Sequence, residues 1–474
     1  MDHPVVSGPH QSRGRVLGGQ SRRFWAARQF RLQITQVVPG LVMNPTFWQV
    51  KKEVLMKILS GRSFQTACLA ALLLLLTPQA YGGGLYIYEM ANPADVGTAG
   101  AGLAAKAQDA STVYANPAGM TRIKTPEVFA GATFMYLHSP FDSDSSTTVS
   151  GPDGDTSEVF GGGNFAYVHP LGEDWAVGVS MQNFFGLSLK WGDNWVGRYQ
   201  STEEWLIAPQ VQPTVAYRVN DWFSIGAGAA LTVGYLKAEG EIYDPGTGDD
   251  GSFNYSDTDF AVQGNFGLMI EPNEDTRIGI RYLSQTKLEF NNDISLHGVN
   301  PALKQGVRNL GDLEIDIYIP QSLNVSGFYQ INKDWAILGS VGWEDWSRFG
   351  RLQIGFSSTG EDNLDIKAKD AYHFGIGGQY QWNSDLLISF GFSFDSEMFE
   401  DSDRPINLHM GDMYRYGTGF TYDLHENFTI GAALEVMWEG DLPVKPSSSA
   451  GGDVSGEYSD VWFIFPSIYG IWRF

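Results

Sequence analysis

Residues 223–235 read Phe-Ser-Ile-Gly-Ala-Gly-Ala-Ala-Leu-Thr-Val-Gly-Tyr. Phe223, Ile225, Ala227, Ala229, Leu231, Val233 and Tyr235 fall on one side of an extended chain, and Ser224, Gly226, Gly228, Ala230 and Thr232 on the other. A period of two over thirteen residues is a strand between two unlike environments. The split recurs at Leu386–Phe394, with its large residues on Leu386, Ile388, Phe390, Phe392 and Phe394. It recurs again at Tyr414–Asp423 and at Phe428–Trp438. Strands of ten or more residues exceed the usual length of about five or six in soluble sheets.

The connections alternate in length. Short polar turns fall near 172–174, 220–221, 272–275, 332–334, 383–384 and 425–427. Longer polar loops fall near 139–157, 190–204, 240–256, 295–312, 357–363, 400–409 and 445–456. Short turns at one end and long loops at the other mark an outer-membrane barrel. Trp175, Trp222, Trp335 and Phe428 each closely follow a short turn, as an interfacial aromatic girdle requires. Six turns and seven loops join fourteen strands, and the even count fits. The fold class expected is all-β: a 14-stranded antiparallel transmembrane β-barrel over residues 126–474. The chain ends Ile471-Trp472-Arg473-Phe474, and a terminal Phe resembles the signal read by the outer-membrane assembly machinery.

Composition agrees. The 474 residues include 56 Gly and 14% aromatics, with mean hydropathy −0.18. No apolar run after residue 80 reaches the eighteen or so residues of a membrane helix. The run Ala67–Leu76 follows Lys57 and Arg62 and precedes Ala80 and Gly82. That is the layout of a signal peptide, expected over 56–82 with cleavage after Gly82 or Ala80. Residues 1–55, with six arginines and no strand rhythm, read as a mis-assigned start or an extension. Removing 1–82 takes 10 of 31 basic and 2 of 54 acidic residues, leaving 21 against 52, a net of −31. Nucleic acid is not an expected partner. Cys68, the single cysteine, lies inside the signal, so neither disulfides nor thiolate metal sites are expected.

Residues 83–125 do not alternate. They are rich in small residues, with Gly97-Thr98-Ala99-Gly100-Ala101-Gly102 and Asn116-Pro117-Ala118-Gly119-Met120, too poor in bulk to fold alone. Turn chemistry at Asn-Pro favours a defined plug over a disordered tail.

At this point the sequence resembles the FadL family of outer-membrane long-chain fatty acid and hydrocarbon transporters, over the whole of residues 83–474. The match is carried by Asp109-Ala110-Ser111-Thr112-Val113-Tyr114-Ala115-Asn116-Pro117-Ala118, by Pro213–Trp222, by Ile319-Pro320-Gln321-Ser322 with Trp335 and Trp346-Ser347-Arg348-Phe349, and by Asp370-Ala371-Tyr372. The resemblance implies an N-terminal hatch plugging the lumen, with Asn116, Pro117 and Ala118 as its motif. It implies passive transport: a ligand bound between outer loops passes to an inner pocket, moves the hatch N-terminus and leaves sideways through a kink in the third strand. The matching stretch is Asn183-Phe184-Phe185-Gly186; Gly186 reads equally as a plain lumen-facing glycine.

An acid ligand needs a cation for its carboxylate. Candidates are Lys237, Arg348 and Arg351, which also read as loop or lumen charge balance. Gly83 and Leu85, at the hatch N-terminus, are further contact candidates. Trp191 and Trp195, with Tyr199 and Trp205, form either an outer docking groove or interface aromatics. The acidic clusters Asp142, Asp144, Asp153, Asp155 and Asp244, Asp249, Asp250 lack calcium-loop spacing and read as solvated charge near lipopolysaccharide. No catalytic constellation, cofactor motif or metal site is legible, so a non-enzymatic monomer is expected, with a hydrophobic small molecule and outer-membrane lipid as partners. A barrel esterase or lipase, and a structural or adhesive barrel, are the competing classes.

Overall fold

A computed structural model describes residues 86–474 apart from 245 and 350; the side chains of 351–352 and 360–365 are also outside the description. The expected extension and signal peptide, with Gly83 and Leu85, lie outside the described residues.

Fourteen antiparallel strands close a barrel. They are β1 (Glu127–His138), β2 (Glu158–Leu171), β3 (Trp175–Gln182 and Gly186–Lys190), β4 (Glu203–Ile207 and Gln210–Asn220), β5 (Phe223–Asp244), β6 (Asp249–Asn273) and β7 (Thr276–Leu283). The circuit continues through β8 (Ser322–Gln330), β9 (Trp335–Glu344), β10 (Ala371–Gln381), β11 (Leu386–Asp395), β12 (Met413–His425), β13 (Phe428–Pro443) and β14 (Gly456–Arg473). Closure is made by β14 on β1, from Glu127 opposite Arg473 to His138 opposite Trp462.

The period of two sorts side chains as the sequence requires. On β5, Ile225, Leu231 and Val233 are exposed toward lipid, while Ser224, Ala230 and Thr232 are buried inward. Trp175, Trp222 and Trp335 are all exposed beside the short turns, as a girdle must be.

One expected loop is mostly strand. Residues 240–256 continue β5 and β6 as a ribbon, paired as far as Asp244 opposite Asp249. Gly240, Asp244, Asp249, Asp250 and Gly251 interrupt its apolar positions, so the long alternation that marks a membrane strand is lost. Above β7–β10, Thr286–Asn292, Leu313–Ile319, Arg351–Phe356 and Gly360–Asp365 form a separate four-stranded sheet. The 295–312 loop carries a helix of about three turns, α4 (Pro301–Leu310). Asn300 caps it, accepting from the Ala302 and Leu303 amides.

Residues 86–122 pack against the inward face of the strands. They form α1 (Tyr88–Ala91), α2 (Pro93–Val96), α3 (Thr112–Ala115) and a 3₁₀ turn (Pro117–Arg122). Helices this short cannot hold themselves. They are held by seats in the wall: a Cβ built on Gly279 of β7 would lie 1.8 Å from the Ala104 carbonyl oxygen, and one on Gly391 of β11 would lie 1.9 Å from that of Thr98. Small residues in the hatch and glycine in the wall are thus one feature: two backbones in direct contact.

Candidate functional site: an inner cavity, its hatch and a break in the wall

Asn116 organises the hatch motif. It is fully buried. Its Oδ1 accepts from the Ala118 amide at 3.0 Å, capping the 3₁₀ turn that Pro117 begins. Its Nδ2 donates to the Ala104 carbonyl at 2.7 Å and to the Leu268 carbonyl of β6 at 2.9 Å. One side chain therefore joins the turn, the strip over Gly279 and the wall.

The third strand is broken at the stretch the sequence singled out. Its lower half pairs with β2 only from Phe165 opposite Met181 to Leu171 opposite Trp175. Its upper half, Gly186–Lys190, pairs with Glu203–Ile207 of β4. Across Glu158–Asn164 of β2 the recorded ladder is with β1 alone. The wall therefore lacks a ladder between upper β2 and upper β3. Gly186 sits at the corner with φ +154°, and a Cβ there would meet the Leu206 carbonyl at 2.3 Å. Only glycine fits that backbone and that space.

The hatch N-terminus closes this corner from inside. The Ile87 amide donates to the Phe184 carbonyl at 2.8 Å, and Tyr86 bridges Phe185 as a scrap of antiparallel sheet. The Tyr86 ring lies 5.3 Å from Phe184, 5.7 Å from Phe185 and 5.1 Å from Trp346, which belongs to α5 (Trp346–Phe349). Aromatic pairs of this kind add about 0.5–1.5 kcal/mol each beyond area burial.

Beside that cluster lies a cavity of about 90 Å³, lined by Tyr86, Tyr114, Arg281, Glu344, Trp346 and Met398 among others. Arg281 projects inward from β7 and is 6% exposed. Its guanidinium lies 4.0 Å over the Tyr114 ring, and its Nε and Nη2 have no hydrogen-bond partner among the described residues. Across the cavity, Arg415 of β12 is already committed. It bonds Glu89 of α1 at 2.9 Å, pairs with Asp395, and has Glu435 of β13 at 3.7 Å. The Tyr88 hydroxyl donates to Glu435 at 3.3 Å. This buried network fastens α1 to the wall.

The sequence candidates for a ligand cation are not brought together here. Lys237 stands on upper β5, tied to Glu203 at 3.0 Å and Glu239 at 3.1 Å. Arg348 is exposed on α5, away from the cavity lining. The Arg351 side chain lies outside the described residues. Trp191 and Trp195 are buried and stacked at 5.3 Å, with their indole N–H groups on the Tyr458 hydroxyl and the Ser201 carbonyl. They are interior packing of the outer mouth in this conformation, not an open groove. Arg281 was missed although its signal is present: in Thr276–Leu283, Arg277, Gly279 and Arg281 alternate with Ile278, Ile280 and Tyr282, which turns two arginines inward.

The acidic loop residues have structural tasks. Asp244 accepts from the Asn300 amide at 2.6 Å, and the bonds from Asn300 and Gly246 hold its carboxyl below the usual range. Asp250 pairs with Arg198 at 3.2 Å.

A sequence profile described as "Outer membrane protein transport protein (OMPP1/FadL/TodX)" matches residues 73–465. The chain belongs to that family. It is a barrel of the Gram-negative outer membrane. Among its relatives, the long-chain fatty acid transport protein of Escherichia coli O6:H1 is 24% identical over 411 residues, covering 79% of this chain and 91% of that protein. Outer membrane protein P1 of Haemophilus influenzae is 24% identical over 416 residues, covering 78% and 89%. Among solved structures, a Pseudomonas aeruginosa FadL homologue matches with a TM-score of 0.75 at 17% identity, covering 82% of this chain and all of that one. The P. putida toluene transporter TodX matches with a TM-score of 0.57 at 15% identity, covering 77% and 94%. At these identities the structural likeness speaks for the fold.

Proposed function

We propose that this barrel passively carries a long-chain carboxylic acid across the outer membrane. The observation that carries this reading is Arg281, a buried guanidinium in the lining of the inner cavity whose Nε and Nη2 have no hydrogen-bond partner among the described residues. A buried donor without a partner costs about 1–3 kcal/mol, more for a charged group, so a site that leaves one open is matched to an anion that closes it. The aromatic rings of Tyr86 and Trp346 suit the acyl chain.

The remaining steps follow from contacts. Ligand pockets usually run to about 300–1,000 Å³. A cavity of about 90 Å³ holds a fragment, so a long chain requires Tyr86–Ile87 to yield. That movement strips the inner cover from Phe184 and Phe185 and opens the unpaired stretch between β2 and β3 to lipid. Lateral exit there, hatch displacement, the outer-loop docking step and action as a monomer within lipid and lipopolysaccharide belong to this proposal. So do a hatch over 83–125 and the roles of Asn116, Pro117, Ala118 and Asn183–Gly186.

The test is equilibrium binding of a fluorescent long-chain acid and its methyl ester to purified protein. Arg281→Gln should weaken the acid roughly 10- to 100-fold, from the ~1.5–3 kcal/mol of a hydrogen bond to a charged group, and leave the ester unchanged. Equal loss for both, or none for the acid, would refute the carboxylate site. Relatives named as toluene transporters supply a second reading, a neutral hydrocarbon, favoured by the small ring-lined cavity. Mass spectrometry of the co-purifying molecule separates the two.

An esterase would need an accessible serine with an oriented base. Ser139 Oγ lies 2.8 Å from His409 Nε2, but both are buried and His409 Nδ1 has no partner among the described residues. Burial pushes the imidazole down to about 3, which removes it as a base at neutral pH.

A further inference from the structure

Arg281 is one of two inward arginines on β7. Arg277 stands four residues below it on the same face, roughly 13 Å along the strand at ~3.3 Å per residue, and is also 6% exposed. Its guanidinium lies 3.5 Å over the Phe328 ring, its Nε donates to the Ala105 carbonyl of the hatch at 3.1 Å, and its Nη2 has no partner among the described residues. Gly279, midway between the two arginines, is where the hatch strip Gly102–Ala105 touches the wall.

Below Arg277, the C-terminal end of the hatch and β4 bring three basic residues close together, inside a rim of acidic turns that includes Glu173, Asp174, Glu274 and Asp275. Arg122 pairs with Glu271, Arg218 donates to the Thr121 carbonyl at 2.7 Å, and Lys124 donates to the same carbonyl at 2.9 Å. Arg122 Nε and Arg218 Nε are buried without a partner among the described residues. This cluster lies at the short-turn, periplasmic end. Arg122, Lys124 and Arg277 interact with Glu271, and Lys124 also with Glu173.

We propose that Arg277 is a second carboxylate-binding site, beneath the hatch. It is reached from the Arg281 cavity when the Gly102–Ala105 strip lifts from Gly279, and it passes the head group to the nearby Arg122, Arg218 and Lys124. The inference rests on the acid-transport reading above and adds an outlet toward the periplasm beside the lateral one. The physical case is that Arg277 now holds a neutral carbonyl with part of its fork. A carboxylate offers a stronger, two-pronged partner in the same place. Release of Ala105 by that exchange would loosen the strip that separates the two sites. A neutral ligand has nothing to exchange and gains no access.

The experiment uses a long-chain acid carrying a photoreactive diazirine beside its carboxyl, its methyl ester, and the intact purified barrel, with adducts mapped by mass spectrometry. The acid should label two zones, one around Tyr114 and Leu283 and one around Ala105 and Phe328; the ester should label only the first. Arg277→Gln should reduce the lower adducts about tenfold, the lower end for losing a hydrogen bond to a charged group, and leave the upper ones intact. Arg277→Lys, which keeps the charge, should retain them in part. Lower adducts that are absent from the unaltered protein, equal for acid and ester, or indifferent to both substitutions would overturn the proposal. The acid–ester comparison needs no variant, so a misfolded Arg277→Gln protein does not decide the matter. Absence of acid adducts in the upper zone would instead sink the acid-transport reading.

Discussion

Gly279→Ala puts the fit between hatch and wall to a direct test. A Cβ at this position would lie 1.8 Å from the Ala104 carbonyl oxygen, about 1.6 Å short of ordinary van der Waals distance. The wall strand cannot retreat, because β7 is paired on both sides, with β6 and β8. The hatch strip must move. Four hydrogen bonds fix it: the Gly102 amide to Ser340 Oγ at 2.8 Å, the Ala104 amide to Ser326 Oγ at 3.1 Å, Asn116 Nδ2 to the Ala104 carbonyl at 2.7 Å, and Arg277 Nε to the Ala105 carbonyl at 3.1 Å. Overpacking costs about 1–3 kcal/mol, and each strained bond about 1 more. The expected loss is about 3 kcal/mol of local hatch stability, with the barrel untouched. Hydrogen exchange of the amides at 102–106 in purified barrel should accelerate by roughly 100-fold, since every ~1.4 kcal/mol is tenfold. Heat-modifiable migration should stay normal. Unchanged protection at 102–106 in a folded variant would refute the claim that the strip is pinned against Gly279.

Arg415→Met should free α1 more thoroughly, because it strands Glu89, Glu435 and Asp395 around a lost cation; breaking such a buried network costs about 3–5 kcal/mol, and limited proteolysis near Tyr88–Ala91 should report it. Gly186→Ala should slow uptake without blocking insertion, since φ +154° and the Leu206 carbonyl at 2.3 Å force the corner to straighten or shift; normal uptake would show that the corner is not the outlet. Burial holds His409 neutral, with its pKa pushed down to about 3, where it stacks on Tyr458 at 3.6 Å between ring centroids. The unfolded state binds its proton first, so loop docking is fully stable above the ordinary value near 6.5. It then weakens by about 1.4 kcal/mol per pH unit down to about 3. Proteolysis of 396–412 should therefore rise between pH 6.5 and 4, and a His409→Gln protein should lose that pH dependence.

Strand number, the closed barrel and the direction each side chain faces were legible because a membrane wall imposes two solvents on alternate residues. The pattern in Phe223–Tyr235 and its repeats would also suit a soluble sandwich; the length of the strands and the alternation of short turns with long loops decide for the barrel. The Asn116-Pro117-Ala118 motif and the stretch Asn183–Gly186 were marked only through the family resemblance; residue chemistry by itself left Gly186 equally a plain lumen-facing glycine. The ribbon at 240–256 was not legible, because acidic residues and glycines interrupt its apolar positions before a long period can build up. Nor was the choice of cation. Lys237 and Arg281 are both inward-capable basic residues in alternating strands; what separates them is that the carboxylates of Glu203 and Glu239 meet the first, while the second lies against the Tyr114 ring with no ion-pair partner among the described residues. The sequence by itself thus determined the barrel, through local periodicity and residue size. Which charges are spent and which stay open was decided by contacts between residues far apart in the chain: Tyr86 on Phe184, Glu89 on Arg415, Ala104 over Gly279. Only the closed circuit of strands brings those partners together.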